Sequence, residues 1–164
     1  MSHAHQDITQ LAENIIDKAR QKAVMIALAE SCTGGMIAAA LTDISGSSAA
    51  VDRGFLTYSN QAKIDILGVS NATLEQYGAV SEQTARAMVD GTLIAAPMAG
   101  LALSVTGIAG PGGGQDKPVG LVHFACQCRD APQTHAMHIF SGDRHMVRQQ
   151  AVRTALMMIG DSLA

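Results

Sequence analysis

The sequence predicts a three-layer α/β/α domain on a mixed sheet of about five strands. Three observations carry that prediction. Apolar runs of strand length alternate with segments of helical period over the first two thirds of the chain. Two adjacent strand patterns near the carboxyl end are joined by Arg129-Asp130-Ala131-Pro132 and read as an antiparallel pair. At 164 residues the chain is the size of one domain with a real core, and it contains no internal repeat or linker, so residues 1–164 read as a single domain with 1–6 flexible.

The elements follow in order. Residues 7–21 carry Ile8, Leu11, Ala12, Ile15, Ile16 and Ala19 at helical spacing, with charged residues opposite. The unbroken apolar run at 24–29 is a buried strand, and the small-residue segment at about 34–42 is a helix. Residues 43–48 form a loop by their turn chemistry. Residues 51–58 read as a strand, and Ser59 is an N-cap for a short helix through Leu67. Residues 71–77 form another short helix, stopped by Gly78. A longer helix occupies 81–96 and is closed by Pro97. Residues 101–105 are a second buried strand, and the glycine-rich stretch 106–114 cannot be regular structure. Strands at 119–128 and 134–140 precede a final amphipathic helix carrying Val147, Ala151, Ala155, Ile159 and Leu163.

Composition narrows the function. A net charge of -3 gives no general pull towards nucleic acid, and 3% aromatics with no Trp leave few platforms for stacking bases. No direct nucleic-acid binding is expected. No apolar run reaches the roughly 18 to 20 residues that span a bilayer, and the N-terminus lacks the basic and apolar regions of a signal peptide. Three cysteines, an odd number, fit a reducing cytoplasm better than a disulfide framework. Charged residues make up only 15% of the chain, well under the usual quarter, which points to a partly covered surface and a homo-oligomer.

Chemistry concentrates at the predicted strand ends. The first strand runs into Ala29-Glu30-Ser31-Cys32-Thr33-Gly34-Gly35, the second into Tyr58-Ser59-Asn60, the third into Thr106-Gly107. Parallel strands would bring these ends to one sheet edge, where α/β proteins bind ligands. Ser31 and Cys32 are rival nucleophiles; a helix cap and a small packing residue are their plainer readings. Lys63, at the end of the first turn after Ser59, could serve Ser31 as a neutral-amine base, with Tyr58 positioning or relaying the proton. Its plainer reading is an exposed helix lysine. The loop 106–114 carries no P-loop or dinucleotide fingerprint, yet its glycines allow close backbone approach to a phosphate or oxyanion. Arg144 and Arg148, one helical turn apart, could clamp a phosphate or merely form a solvated face.

No metal site is expected. Cys126 and Cys128 share one strand face with no second cysteine pair. His135 and His138 point to opposite faces of a strand, and His3 and His5 fall in a frayed terminus.

Seven segments together resemble the CinA C-terminal domain family. They are residues 29–35 (AESCTGG), 42–48 (TDISGSS), 58–63 (YSNQAK), 78–81 (GAVS), 105–114 (VTGIAGPGGG), 117–120 (KPVG) and 140–144 (FSGDR). The likeness runs from about residue 7 to the C-terminus. The stand-alone members of that family are nicotinamide-nucleotide amidases. The resemblance therefore implies hydrolysis of nicotinamide mononucleotide to nicotinate mononucleotide and ammonia, without a cofactor. It implies Ser31 as nucleophile with Lys63 and Tyr58 beside it. It also implies substrate contacts from Thr33, Gly34, Gly35, Ser47, Ser48, Thr106, Gly107, Gly110 and Arg144. The alternative it leaves is a non-catalytic nucleotide-binding module acting in competence or DNA damage.

Overall fold

The computed structural model describes residues 3–113 and 116–164, with side chains from residue 8 onward. Gly114, the last glycine of the predicted loop, lies outside the described residues, as do the side chains of His3 and His5. In chain order the elements are α1 (His3–Lys22), β1 (Ile26–Glu30), α2 (Met36–Thr42), β2 (Val51–Leu56), α3 (Asn60–Leu67), α4 (Asn71–Tyr77) and α5 (Glu82–Ala95). Then come β3 (Leu101–Gly107), β4 (Leu121–Cys128), β5 (Thr134–Ile139) and α6 (Arg144–Ser162). A short 3-10 turn, Ser47–Ala49, interrupts the predicted 43–48 loop region.

The strand order is β2-β1-β3-β4-β5. β1 pairs in parallel with β2 and β3, while β4 pairs antiparallel with β3 and with β5. β4 is thus the one strand that runs against the others. The predicted mixed five-stranded sheet is present.

Successive side chains on a strand point to opposite faces, and the two faces here differ in bulk. Ile26 and Leu28, Leu101, Leu103 and Val105, and Val122, Phe124 and Cys126 face α1, α2 and α6, where aliphatic residues fill the larger core. The other face is built from small residues: Ala27, Ala29, Ala102 and Ala125. That bareness lets α5 lie close to the sheet, and Ser104 Oγ donates across the gap to the Ala85 carbonyl at 2.6 Å.

The alternation carries past the end of β1. Glu30 falls on the α2–α6 face and Ser31 on the α3–α5 face. One strand therefore sends a carboxylate to one layer and a hydroxyl to the other. The helix starts agree with their caps: Ser59, Ser70, Ser81 and Asp143 each accept a backbone N–H from the first turn that follows.

Candidate active site

The carboxyl ends of β1, β2 and β3 lie side by side, and a cavity of about 180 Å³ opens above them. Ser31, Cys32, Tyr58, Lys63, Ala79, Val80, Thr106, Gly107, Ala109 and Arg144 line it. Each of the three strand ends supplies part of the wall.

Ser31 is held from both sides. Its backbone N–H donates to the Val105 carbonyl at 3.1 Å, extending the β1–β3 ladder by one residue. Its hydroxyl lies 3.1 Å from Lys63 Nζ. Lys63 reaches there because α3 begins directly after β2 and turns its first coil back over the sheet edge. The side chain is 1% exposed, and Nζ also donates to the carbonyls of Thr57 at 2.8 Å and Tyr58 at 3.4 Å. Among the described residues no carboxylate compensates the ammonium in this setting. Burial accordingly draws Lys63 down from the usual lysine range to about 8. A neutral amine has two N–H donors and one lone pair, which matches two carbonyls and one serine hydroxyl.

Cys32 stands next to Ser31 under the opposite influence. Its thiol is packed in the aliphatic core, and burial pushes it up to about 12. The thiolate is therefore suppressed at neutral pH, although Arg148 and Lys63 both pull the other way.

Behind the nucleophile, Glu30 is 2% exposed and accepts four hydrogen bonds. They come from Thr33 Oγ1 at 2.7 Å and from the amides of Gly35, Ile37 and Ala38 at 3.1, 3.1 and 2.8 Å. A carboxylate so placed satisfies the orphan N–H groups of α2 and lies at the positive helix end. It fixes α2 to β1 and thereby the turn between them.

The far wall is also braced. Thr106 Oγ1 donates to the Ala79 carbonyl at 2.7 Å, and Lys117 Nζ donates to the carbonyls of Tyr77 and Val80 at 2.8 and 2.5 Å. Gly107 must be glycine: a Cβ there would sit 2.7 Å from Val122 and 3.1 Å from Cys32 Sγ. At the rim, Arg144 donates to the Gly110 carbonyl at 2.8 Å and to the Tyr58 hydroxyl at 3.0 Å.

The model of the CinA C-terminal domain family matches residues 8–163. The chain belongs to that family. The nicotinamide-nucleotide amidohydrolase PncC of Enterobacter agglomerans is 57% identical over 133 residues, 80% of this chain and 80% of that protein. A putative competence-damage inducible protein of Caldicellulosiruptor bescii is 46% identical over 89% of the chain, which spans 35% of that longer relative. Among solved structures, the competence/damage inducible protein CihA from Agrobacterium tumefaciens superposes with a TM-score of 0.90 at 51% identity. The match covers 96% of this chain and 95% of that one.

This CinA domain gathers Ser31, Tyr58, Lys63, Thr106, Gly107 and Arg144 around one cavity, six of the twelve residues that the sequence singled out. The other six are not among its lining residues. Thr33 is buried with its hydroxyl committed to Glu30, and the Gly35 amide is committed to the same carboxylate, so neither lines the cavity. Gly34 donates to the Ser31 carbonyl, and Gly110 stands behind Arg144. Ser47 and Ser48 precede β2, whose Val51 pairs with Ile26 at the start of β1. They therefore sit at the amino end of the strands, across the sheet from Ser31 in the same chain.

Arg148 departs from both of its sequence readings, and Tyr58 takes a contact at the rim. The Tyr58 phenol is engaged by Arg144, while Lys63 meets Ser31 directly. Arg148 donates to the nucleophile turn and does not pair with Arg144 on a phosphate clamp. The sequence reading missed Glu30. Its signal was a carboxylate closing a buried strand directly before a helix, where a solvated charge has no place.

Proposed function

We propose that this chain hydrolyses the carboxamide of nicotinamide mononucleotide, releasing ammonia and nicotinate mononucleotide, with Ser31 as nucleophile and Lys63 as its base. The observation that carries the reading is the buried Lys63 amine, lowered to about 8 and lying 3.1 Å from the Ser31 hydroxyl. The amidohydrolase relative at 57% identity supplies the substrate class.

In the resting state neutral Lys63 accepts the Ser31 proton and Oγ bonds to the carboxamide carbon. The carbonyl π pair moves onto oxygen. Within the 31–35 turn, Ser31, Gly34 and Gly35 already donate to Val105, Ser31 and Glu30, and Thr33 is fully buried, so the oxyanion falls to the amide of Cys32 at the cavity wall. The intermediate collapses, the C–N bond breaks, and Lys63 returns its proton to the departing ammonia. Water then attacks the acyl carbon while Lys63 takes its proton, and that proton restores Ser31 as nicotinate leaves. No redox or metal step enters this balance.

The cavity is smaller than the roughly 300–1,000 Å³ that encloses a typical small-molecule ligand. It suits the pyridine ring, and ribose and phosphate extend past Thr106 and Gly107 to Arg144 at the rim. Arg144 exchanges the Tyr58 phenol for the phosphate, or bridges both.

Ammonia release from nicotinamide mononucleotide tests the assignment. Ser31→Ala is expected to lose activity by about 10⁴-fold or more, and Cys32→Ala to keep it within a few-fold. No release by the wild type sinks the reading. Equal rates on free nicotinamide and on the mononucleotide remove Arg144, Thr106 and Gly107 from substrate binding.

A further inference from the structure

The two arginines that open α6 look like a pair in sequence and part company in the fold. Arg148 lies one turn after Arg144 but does not line the cavity. Its guanidinium reaches 116 residues back along the chain to the turn that carries the nucleophile. Nε donates to the Cys32 carbonyl at 3.1 Å and Nη2 to the Thr33 carbonyl at 3.0 Å. Two donors of one rigid fork thus grip two consecutive peptides directly after Ser31.

The surroundings are shaped for this grip. Val147, Ala151 and Val152 are buried against the sheet, so the stem of Arg148 rises from a fixed stretch of α6. Gly34 has φ +60, and a Cβ there would come within 3.2 Å of Arg148 Nη2. Glycine therefore serves twice at that position, by its left-handed backbone and by leaving room for the guanidinium.

What the grip does follows from peptide planarity. In a trans peptide the C=O and the N–H point in opposite directions, so fixing one aims the other. Drawing the Cys32 carbonyl towards α6 turns the Thr33 N–H away from α6. Thr33 is fully buried, so that N–H stays out of the cavity. Drawing the Thr33 carbonyl the same way aims the Gly34 N–H, which closes onto the Ser31 carbonyl at 3.0 Å and so fixes the Cys32 N–H on the same peptide, at the cavity wall. The Ser31 backbone is consequently clamped between β3, through Val105, and α6, through Arg148.

We infer that Arg148 is a positioning residue for the amidase reaction. It holds the Ser31 turn, and through the Gly34–Ser31 bond the Cys32 amide at the cavity wall, in the orientation that receives the tetrahedral oxyanion. The inference rests on the reaction proposed above. Arg148 touches neither substrate nor reacting atoms, so its contribution appears in the chemical step and not in binding.

Kinetics of ammonia release from nicotinamide mononucleotide test this with Arg148→Gln and Arg148→Lys, the second in case the first fails to fold. A lysine point charge cannot span both carbonyls, so both variants are expected to lose kcat by about 10- to 100-fold with KM within about twofold. The acid limb of the pH profile, set by Lys63, is expected to stay where it is. Guanidinium chloride at a non-denaturing concentration is expected to restore part of kcat in Arg148→Ala. Full kcat in Arg148→Lys overturns the inference. So does a raised KM at unchanged kcat, because the guanidinium then meets substrate. Loss that tracks the unfolded fraction and resists guanidinium overturns it as well. Covalent labelling of Ser31 by a fluorophosphonate keeps the two readings apart. If the wild type labels quickly and Arg148→Lys slowly, the positioning role stands even where nicotinamide mononucleotide proves the wrong substrate.

Discussion

A lysine can serve as a base near neutral pH only if its charged form is made costly, and Lys63 meets that condition by burial alone. Among the described residues no carboxylate pairs with it, and its other hydrogen bonds go to the Thr57 and Tyr58 carbonyls. The consequence is a pH dependence of definite sign. The amine must be neutral to accept the Ser31 proton, and burial lowers Lys63 to about 8. Thus kcat/KM is expected to rise tenfold per pH unit below about 8 and to level off above it. Initial rates between pH 6 and 9.5 measure this, and a flat profile rules out the neutral amine. Lys63→Arg, which keeps a cation but cannot deprotonate, is expected to be inactive throughout. Ser31 and Lys63 were both legible in the sequence, because a polar residue ending an apolar strand and a lysine just inside a capped helix are local signals. Their partners were not. Whether Lys63 is buried, and whether Tyr58 bonds to Arg144 or to Lys63, depends on contacts between residues far apart in the chain.

Secondary elements behave similarly. α4 matches its expected span, and α3 and α5 start beside their expected caps, since serine caps, glycine stops and apolar period are local properties. The strands at 24–29 and 51–58 moved: β1 runs on to Glu30 and β2 stops at Leu56. Pairing across the sheet decides those ends, and one strand read alone does not reveal it. The β4–β5 hairpin carries a pH-sensitive contact of its own. His123 Nδ1 and His135 Nε2 lie 3.0 Å apart, so the pair needs one ring neutral. Burial lowers both histidines; His135 and Lys117 add to the effect on His123 and Arg86 to that on His135, while Glu82 opposes it in both. Folded values below the unfolded 6.5 mean that the native state binds fewer protons, so this stability is complete above 6.5 and lost as pH falls through the folded values. The melting temperature is expected to drop between pH 7.5 and 5.5, and to drop less in His135→Gln. An equal drop in both proteins rejects the hairpin as its source.

At the scale of the whole molecule, the site exists because three parallel strands end together, and their order β2-β1-β3 is set by packing that no single segment encodes. The sequence supplied three polar strand ends. Only the sheet makes them neighbours, and it equally carries Ser47 and Ser48 to the opposite end. The exterior offers the remaining expectation to test. Charged residues are 15% of the chain, and Ile94 and Met98 are 82% and 75% exposed at the end of α5 and just beyond it. Scattered exposed aliphatics are ordinary on a monomer, but a surface this poor in charge has little to keep identical copies apart. Sedimentation velocity is expected to give a species heavier than the 17.0 kDa chain, and Ile94→Lys with Met98→Lys to shift it towards that mass. Because both residues lie outside the cavity lining, kcat in the double variant is expected to hold. A 17.0 kDa particle at every concentration returns the low charge to a property of the monomer alone.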